Sequence, residues 1–152
     1  AVQGNLACTY QRLGRLDEAL SMKRDVYSGR LRLKGEEHEF TLISALNYSA
    51  TLGDLQRFGE AKSLLRKTMP VARRVLGDSH DLTLTLKKVY AESLYEDDSA
   101  MLDDLREAVT TLEDTTRIAQ RVFGASHPNT TGHEGSLRKS RAALAARETP
   151  RA

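Results

Sequence analysis

An all-α solenoid of about seven antiparallel helices is what this sequence predicts, on three observations. Residues 5 to 42 align on residues 47 to 84 at a constant offset of 42. Within each copy, apolar residues recur at spacings of three and four, the pattern of one buried helix face. Breaks fall between paired helices, at Gly14-Arg15 or Gly53-Asp54, and after the second helix of each copy, at Gly35, Gly77 or Gly124.

The matched positions are specific. Asn5 pairs with Asn47, Leu13 with Leu55, Arg15 with Arg57, and Glu18-Ala19 with Glu60-Ala61. Gly35 pairs with Gly77, His38 with His80, and Thr41-Leu42 with Thr83-Leu84. A third copy keeps the 42 spacing through Tyr90-Ala91, and then Glu107-Ala108, Gly124 and His127 follow at an offset of 47. The five inserted residues fall near Glu96-Asp97-Asp98-Ser99-Ala100, a polar stretch where a turn lengthens without disturbing packing.

First helices are expected over 1–13, 39–53, 81–96 and 129–147, and second helices over 16–34, 57–76 and 100–123. Leu6, Tyr10 and Leu13 carry the first, Gly14-Arg15 breaks it, and Leu16, Ala19 and Leu20 start its partner. Gly53-Asp54 is the corresponding break in the second repeat. Gly35, Gly77 and Gly124 each close a second helix, at the position where positive φ suits glycine. Pro70 falls inside 57–76, removes a backbone hydrogen bond at a cost of about 3 kcal/mol unless accommodated, and predicts a kink. Pro128 suits the first turn of the last helix. Gly132 and Gly135 each cost roughly 1 kcal/mol there relative to Ala, which predicts order only from Ser136. The whole reads as one repeat domain over 1–152, with repeats at about 1–37, 38–79 and 80–126 and a terminal helix at 127–148. An array that starts in a first helix and ends after an unpaired one is expected of a piece of a longer protein, or of one closed by a capping helix.

Composition narrows the function classes. The chain has 152 residues, 39% hydrophobic and 29% charged, with 23 Lys and Arg against 21 Asp and Glu, the makeup of a soluble globular domain. Three prolines and ten glycines are too few for a collagenous or low-complexity chain. No apolar run approaches the roughly 20 residues a membrane span needs, and no secretory signal is visible at Ala1-Val2-Gln3-Gly4. The single cysteine, Cys8, forms no internal disulfide, so a reducing, cytoplasmic location is expected.

The run from Asn5-Leu6-Ala7-Cys8-Thr9-Tyr10 through Leu13-Gly14-Arg15 to Glu18-Ala19-Leu20 resembles the core of a tetratricopeptide repeat. In that pattern Ala7 is the small close-approach residue, Tyr10 the aromatic that fills the gap, and Ala19 the residue that meets them from the second helix. A period of 42 also fits HEAT and armadillo repeats, and the Ala-Tyr-Gly-Ala spacing favours the tetratricopeptide pattern. Val75-Leu76-Gly77-Asp78-Ser79-His80-Asp81-Leu82-Thr83-Leu84 and Val122-Phe123-Gly124-Ala125-Ser126-His127-Pro128 look like the closing signature of kinesin light chain repeats. The sequence departs from it where Asn47 becomes Val89 and then Ser136, where Pro128 has no earlier counterpart, and at the third-repeat insertion. The resemblance implies a right-handed superhelix of helix pairs. It also implies a protein-interaction module whose first helices line a concave groove that takes a peptide or adaptor segment, with a motor or adaptor complex as one context. The rival expectation is an architectural segment whose groove is filled by the rest of a larger assembly.

Catalysis is not expected. No phosphate loop, nucleophile elbow or paired acid stands out, and no cofactor is implied. His38, His80 and His127 recur at one repeat position just before a first helix, and so read as turn or capping residues rather than ligands of one metal site. His133-Glu134 lacks the second His that a zinc-protease helix needs. Cys8 takes the place of Ala50 and reads as a small packing residue.

Charge is strongly segmented. Residues 56–76 carry a net +5, residues 96–114 a net −7 and residues 115–152 a net +5. Such runs are solvated helix faces or a dipolar surface that steers a charged partner. Basic residues are not interleaved with aromatics, so nucleic acid is not an expected partner. The groove face of the first helices holds Asn5, Cys8, Gln11 and Arg12, then Asn47, Ala50 and Asp54, then Lys88, Val89, Glu92 and Tyr95, then Ser136 and Lys139. From it the candidate peptide-binding residues are Asn5, Arg12, Asn47, Asp54, Lys88, Glu92, Tyr95 and Lys139. Asn5 and Asn47 both donate and accept, and so suit an extended peptide backbone, or else hydrogen bonds between adjacent helices.

Overall fold

A computed structural model describes the backbone of residues 2–149 and the side chains of residues 12–149. Six helices follow in order: α1 (Val2–Lys34), α2 (Glu39–Asp54), α3 (Phe58–Leu76), α4 (Asp81–Tyr95), α5 (Leu102–Phe123) and α6 (Pro128–Glu148). No strand occurs among the described residues. Each helix packs on the next, and α2, α4 and α6 also touch one another in sequence, whereas α1, α3 and α5 do not. The result is a two-layer, solenoid-like stack whose even-numbered helices form the closer-packed layer.

The three repeated histidines start the even helices. His38, His80 and His127 occupy the N-cap positions, and each Nδ1 accepts a hydrogen bond from the backbone N–H two residues on, at 3.1, 3.1 and 3.2 Å. Each therefore satisfies one of the four donors a helix start leaves open. Gly35, Gly77 and Gly124 have φ of 84°, 95° and 91°, a region that side chains with a Cβ rarely adopt, so each odd helix stops where the sequence places a glycine. In two of the three repeats the threonine three residues after the histidine ties layers together. Thr83 and Thr130 are fully buried, and their hydroxyls donate to the carbonyls of Ala72 (3.4 Å) and Ala119 (3.2 Å) on the preceding helix.

The core runs through both layers. Leu42, Leu65, Ala72, Leu86, Ala91, Leu94, Ala108 and Leu112 are fully or almost fully buried in one cluster, and Leu20, Leu52 and Ala61 form a second between α1, α2 and α3. Burial at about 25 cal/mol per Å² of apolar surface, rather than helix propensity, holds such helices in place.

Four sequence expectations are corrected. The helices number six, not seven, because α1 runs unbroken from Val2 to Lys34. Gly14 is absent from the residues with positive φ. A lone glycine costs a helix only about 1 kcal/mol, and Arg15 offers no capping side chain, so the backbone ladder continues. The break expected at Gly53-Asp54 lies later: both belong to α2, and the turn is Leu55-Gln56-Arg57, with Gln56 at φ 59°. The last helix begins at Pro128 instead of Ser136. There the His127 cap, proline at the first position and the buried Thr130, His133 and Leu137 outweigh the two glycines. The inserted residues are not confined to the turn: α4 to α5 takes Glu96 to Met101, and α5 has 22 residues against 19 in α3.

Helix α3 continues through Pro70 to Leu76, and Pro70 is exposed. Replacing it restores a donor to the helix ladder and removes the ring. Pro70→Ala is accordingly expected to keep the fold and to hold or raise the melting midpoint followed by circular dichroism. A fall of several degrees would mean that Pro70 has a packing role.

Candidate interaction surfaces

The even layer brings together five residues of its predicted face at α4 and α6. Lys88 and Glu92, one turn apart on α4, pair at 3.8 Å, and both are half-buried. The Glu92 carboxylate accepts a hydrogen bond from Ser136 on α6 at 3.1 Å. Tyr95 lies beside Ser136, and burial pushes its phenol up to about 12. Glu96, in the turn after α4, is raised by burial and then by Glu92, while the nearby Lys139 on α6 opposes the shift. Lys88, Glu92, Tyr95, Ser136 and Lys139 thus form one mixed-charge strip with polar atoms partly open to solvent.

Of the other candidates only Asp54 comes near this strip, where its charge adds to the upward shift of Glu96. Asn47 is exposed on α2 and lines a groove of about 330 Å³ between α1 and α2, with Ala19, Met22, Lys23, Val26, Arg30 and Ser44. Asp54 is exposed at the end of α2, and Arg12 is exposed on α1, part of the odd layer rather than the even one. Continuity of α1 is the reason: Arg12 does not sit on a separate first helix. The side chains of Asn5, Cys8 and Gln11 lie outside the described residues, as do those of Ala7 and Tyr10.

A larger groove, about 1040 Å³, opens on the opposite side between α3 and α5, above α4. Met69, Pro70 and Tyr90 supply apolar surface, Arg73, Arg74 and Lys87 one charged edge, and Glu107, Glu113 and Asp114 the other. Here the net +5 and −7 segments of the sequence face each other. Several of these charges already have partners: Arg73 with Asp78 (2.9 Å), Arg74 with Glu37 (2.9 Å) and Lys87 with Asp78 (3.7 Å). Exposed pairs of this kind contribute about 0 to 1 kcal/mol each. The sequence offered the charge runs but not their juxtaposition, since that depends on α4 lying between the two odd helices.

Tyr90 spans this region. Its hydroxyl accepts from Arg66 Nε on α3 at 3.1 Å and donates to Glu107 on α5 at 2.9 Å, linking three helices. Burial is the main cause that raises the phenol above its ordinary value. Tyr90→Phe is expected to lower stability by about 1 kcal/mol, the usual scale for a part-buried hydrogen-bonded hydroxyl. Urea unfolding of both proteins checks it, and an unchanged midpoint would mean that the bridge adds nothing.

Among the described residues, no group of three or more His, Cys, Asp or Glu is placed to hold a metal ion, and no helix is long and apolar enough to cross a membrane. No curated protein matches the chain. Residues 1–74 of the 152 match the family model of the tetratricopeptide repeat, which supports a tetratricopeptide repeat family for this helical array, a family whose repeats generally mediate protein–protein interactions.

Proposed function

We propose that this chain is a non-catalytic protein-interaction module of the kinesin light chain-like tetratricopeptide type, which binds a peptide or adaptor segment along the face of its even helices. The observation that carries this reading is the mixed-charge strip of Lys88, Glu92, Tyr95, Ser136 and Lys139 across α4 and α6. An extended peptide needs both donors and acceptors along its path, and a strip that offers ammonium, carboxylate and hydroxyl groups in sequence supplies both. Asn47 and Asp54 extend the candidate set onto α2, whereas Asn5 and Arg12 belong to α1 and fall outside the even face. The ligand is a protein segment rather than nucleic acid, since the strip holds acids beside its lysines. A motor or adaptor complex is the context that the resemblance brings to mind, and a cytoplasmic location goes with it.

The test is a fluorescence-polarisation screen against extended peptides of acidic, basic and aromatic composition. Saturable micromolar binding is expected, weakened about tenfold or more, or about 1.4 kcal/mol, by combined Lys88→Ala and Lys139→Ala. Tight binding that ignores both substitutions would place the ligand elsewhere, with the α3/α5 groove as the next surface to vary.

An architectural role is the second reading, favoured by apolar side chains exposed on α1. Met22 is 68% exposed, Val26 46% and Leu13 45%, an open apolar stretch of the kind that unfinished solenoids present. Absence of binding to every peptide class by a folded protein would favour it.

A further inference from the structure

Helices α3 and α5 both pack on α4 and not on one another, which leaves a trough between them with α4 at its base. Met69 and Pro70 on α3 and Tyr90 on α4 give the trough its apolar surface. The walls run from Met69 to Gly77 along α3 and from Glu107 to Arg117 along α5, about 12 and 15 Å at 1.5 Å per residue. Three turns of a helix about 10 Å across take on the order of 1200 Å³, and the groove holds about 1040 Å³. A helical segment of that length seats there with its outer face in solvent.

The two edges carry opposite charge and do not neutralise each other. On the basic edge Arg73 and Lys87 share one carboxylate, Asp78, at 2.9 and 3.7 Å, and Arg74 pairs with Glu37, outside the groove. On the acidic edge Asp114 pairs with Arg117 one turn on, Glu107 accepts from the Tyr90 hydroxyl, and Glu113 is exposed. Among the described residues no ion pair links Arg73, Arg74 or Lys87 to an acid of α5. Opposite charges held apart across a trough set up a field that a ligand of complementary charge pattern satisfies and any other opposes.

The lining also favours a helix over an extended peptide. An extended backbone needs partners for its N–H and C=O groups, which Asn or Gln side chains supply as donor and acceptor together. Among the described residues no Asn or Gln lines the trough, and its walls are helices whose backbone groups bond among themselves. A helix arrives with its own backbone paired and presents only side chains, which suits an apolar floor between two charged edges.

We propose that the α3/α5 groove docks an amphipathic helix of a partner protein, about three turns long, whose apolar ridge is flanked by acids on one side and bases on the other. The ridge rests on Met69, Pro70 and Tyr90. The acidic flank faces Arg73, Arg74 and Lys87, and the basic flank faces Glu107, Glu113 and Asp114. This site lies on the opposite side of the array from the α4/α6 strip and does not depend on it.

The probe is a fluorescein-labelled, alanine-based helix of about 16 residues, with leucines at helical spacing, glutamates along one flank and lysines along the other. Two companions keep its length and leucines: one mixes glutamate and lysine on both flanks at equal composition, and one has glutamates on both flanks. By fluorescence polarisation the segregated probe is expected to bind saturably, about tenfold or more tighter than the mixed one. Glu113→Lys with Asp114→Lys makes both edges basic, so the all-glutamate helix should then bind best. Arg73→Glu with Arg74→Glu alters the other edge and should weaken the segregated probe about tenfold or more. Circular dichroism melting establishes that each variant is folded. Lys88→Ala with Lys139→Ala, which alters the α4/α6 strip, should leave the affinity of the segregated probe unchanged. Equal binding of the segregated and mixed probes, or no binding by the folded protein, would overturn the proposal. So would self-association of the chain that Glu113→Lys with Asp114→Lys abolishes, because a second copy then fills the groove.

Discussion

Ala61→Leu is expected to destabilise the protein by about 1 to 3 kcal/mol, the scale of overpacking in a filled core. Ala61 is 0% exposed and sits where α3 crosses α2, in one cluster with Leu20 and Leu52 and with Tyr48 and Leu55 packed against it. A leucine there adds three carbons where three helices meet, so either α2 moves away from α3 or the new side chain leaves its preferred rotamer. In a chain of this length, 1 kcal/mol corresponds to roughly 2 to 4 °C or slightly more, so the melting midpoint should fall by several degrees. Ala142→Leu, at an exposed position on α6, is the control for leucine itself and should change the stability by no more than about 0.5 kcal/mol. If both substitutions behave alike, Ala61 is not a close-approach residue and the repeat register that equates it with Ala19 is wrong.

How much of this was legible in the sequence depends on whether local chemistry or packing decides. The even helices start where His38, His80 and His127 repeat, and the odd helices end at Gly35, Gly77 and Gly124, because caps and positive φ are local requirements that one residue meets. The α2–α3 turn was hidden, since Gln56 adopts the turn conformation with no glycine to announce it. The early start of α6 was hidden for the opposite reason: Gly132 and Gly135 argued against a helix that burial of Thr130 and His133 imposes. In the candidate site, the α4/α6 strip could be read from repeat position. The α3/α5 groove could not, since facing charge runs 40 residues apart in sequence requires knowing which helix separates them. His133, set aside in the sequence as a failed metal motif, is the most perturbed histidine of the chain, and only the fold reveals its burial.

That burial predicts an acid-sensitive stability. His133 is 2% exposed on α6, and its Nδ1 has no hydrogen-bond partner among the described residues. Burial, and then the positive charge of Lys88 on α4, hold its imidazolium down to about 4 from 6.5, against a smaller opposing pull from Asp81. The sign follows from proton counting. Between about 6.5 and 4, the unfolded chain binds a proton at this imidazole and the folded chain does not, so stability is full above pH 6.5 and falls as the pH drops through that window. From pH 8 to pH 5 the loss from this one group is about 2 kcal/mol. Urea unfolding at both pH values should show that loss in the wild type, beyond whatever a non-titrating His133→Leu variant shows. The leucine also fills most of the imidazole volume without leaving a buried nitrogen unpaired, so the variant is expected to fold. Nuclear magnetic resonance adds a direct check, because the folded His133 imidazole should stay neutral to below pH 5. Equal pH slopes in wild type and variant would mean that α6 yields around His133 before the proton arrives, and that the α4/α6 contact is looser than its buried side chains imply.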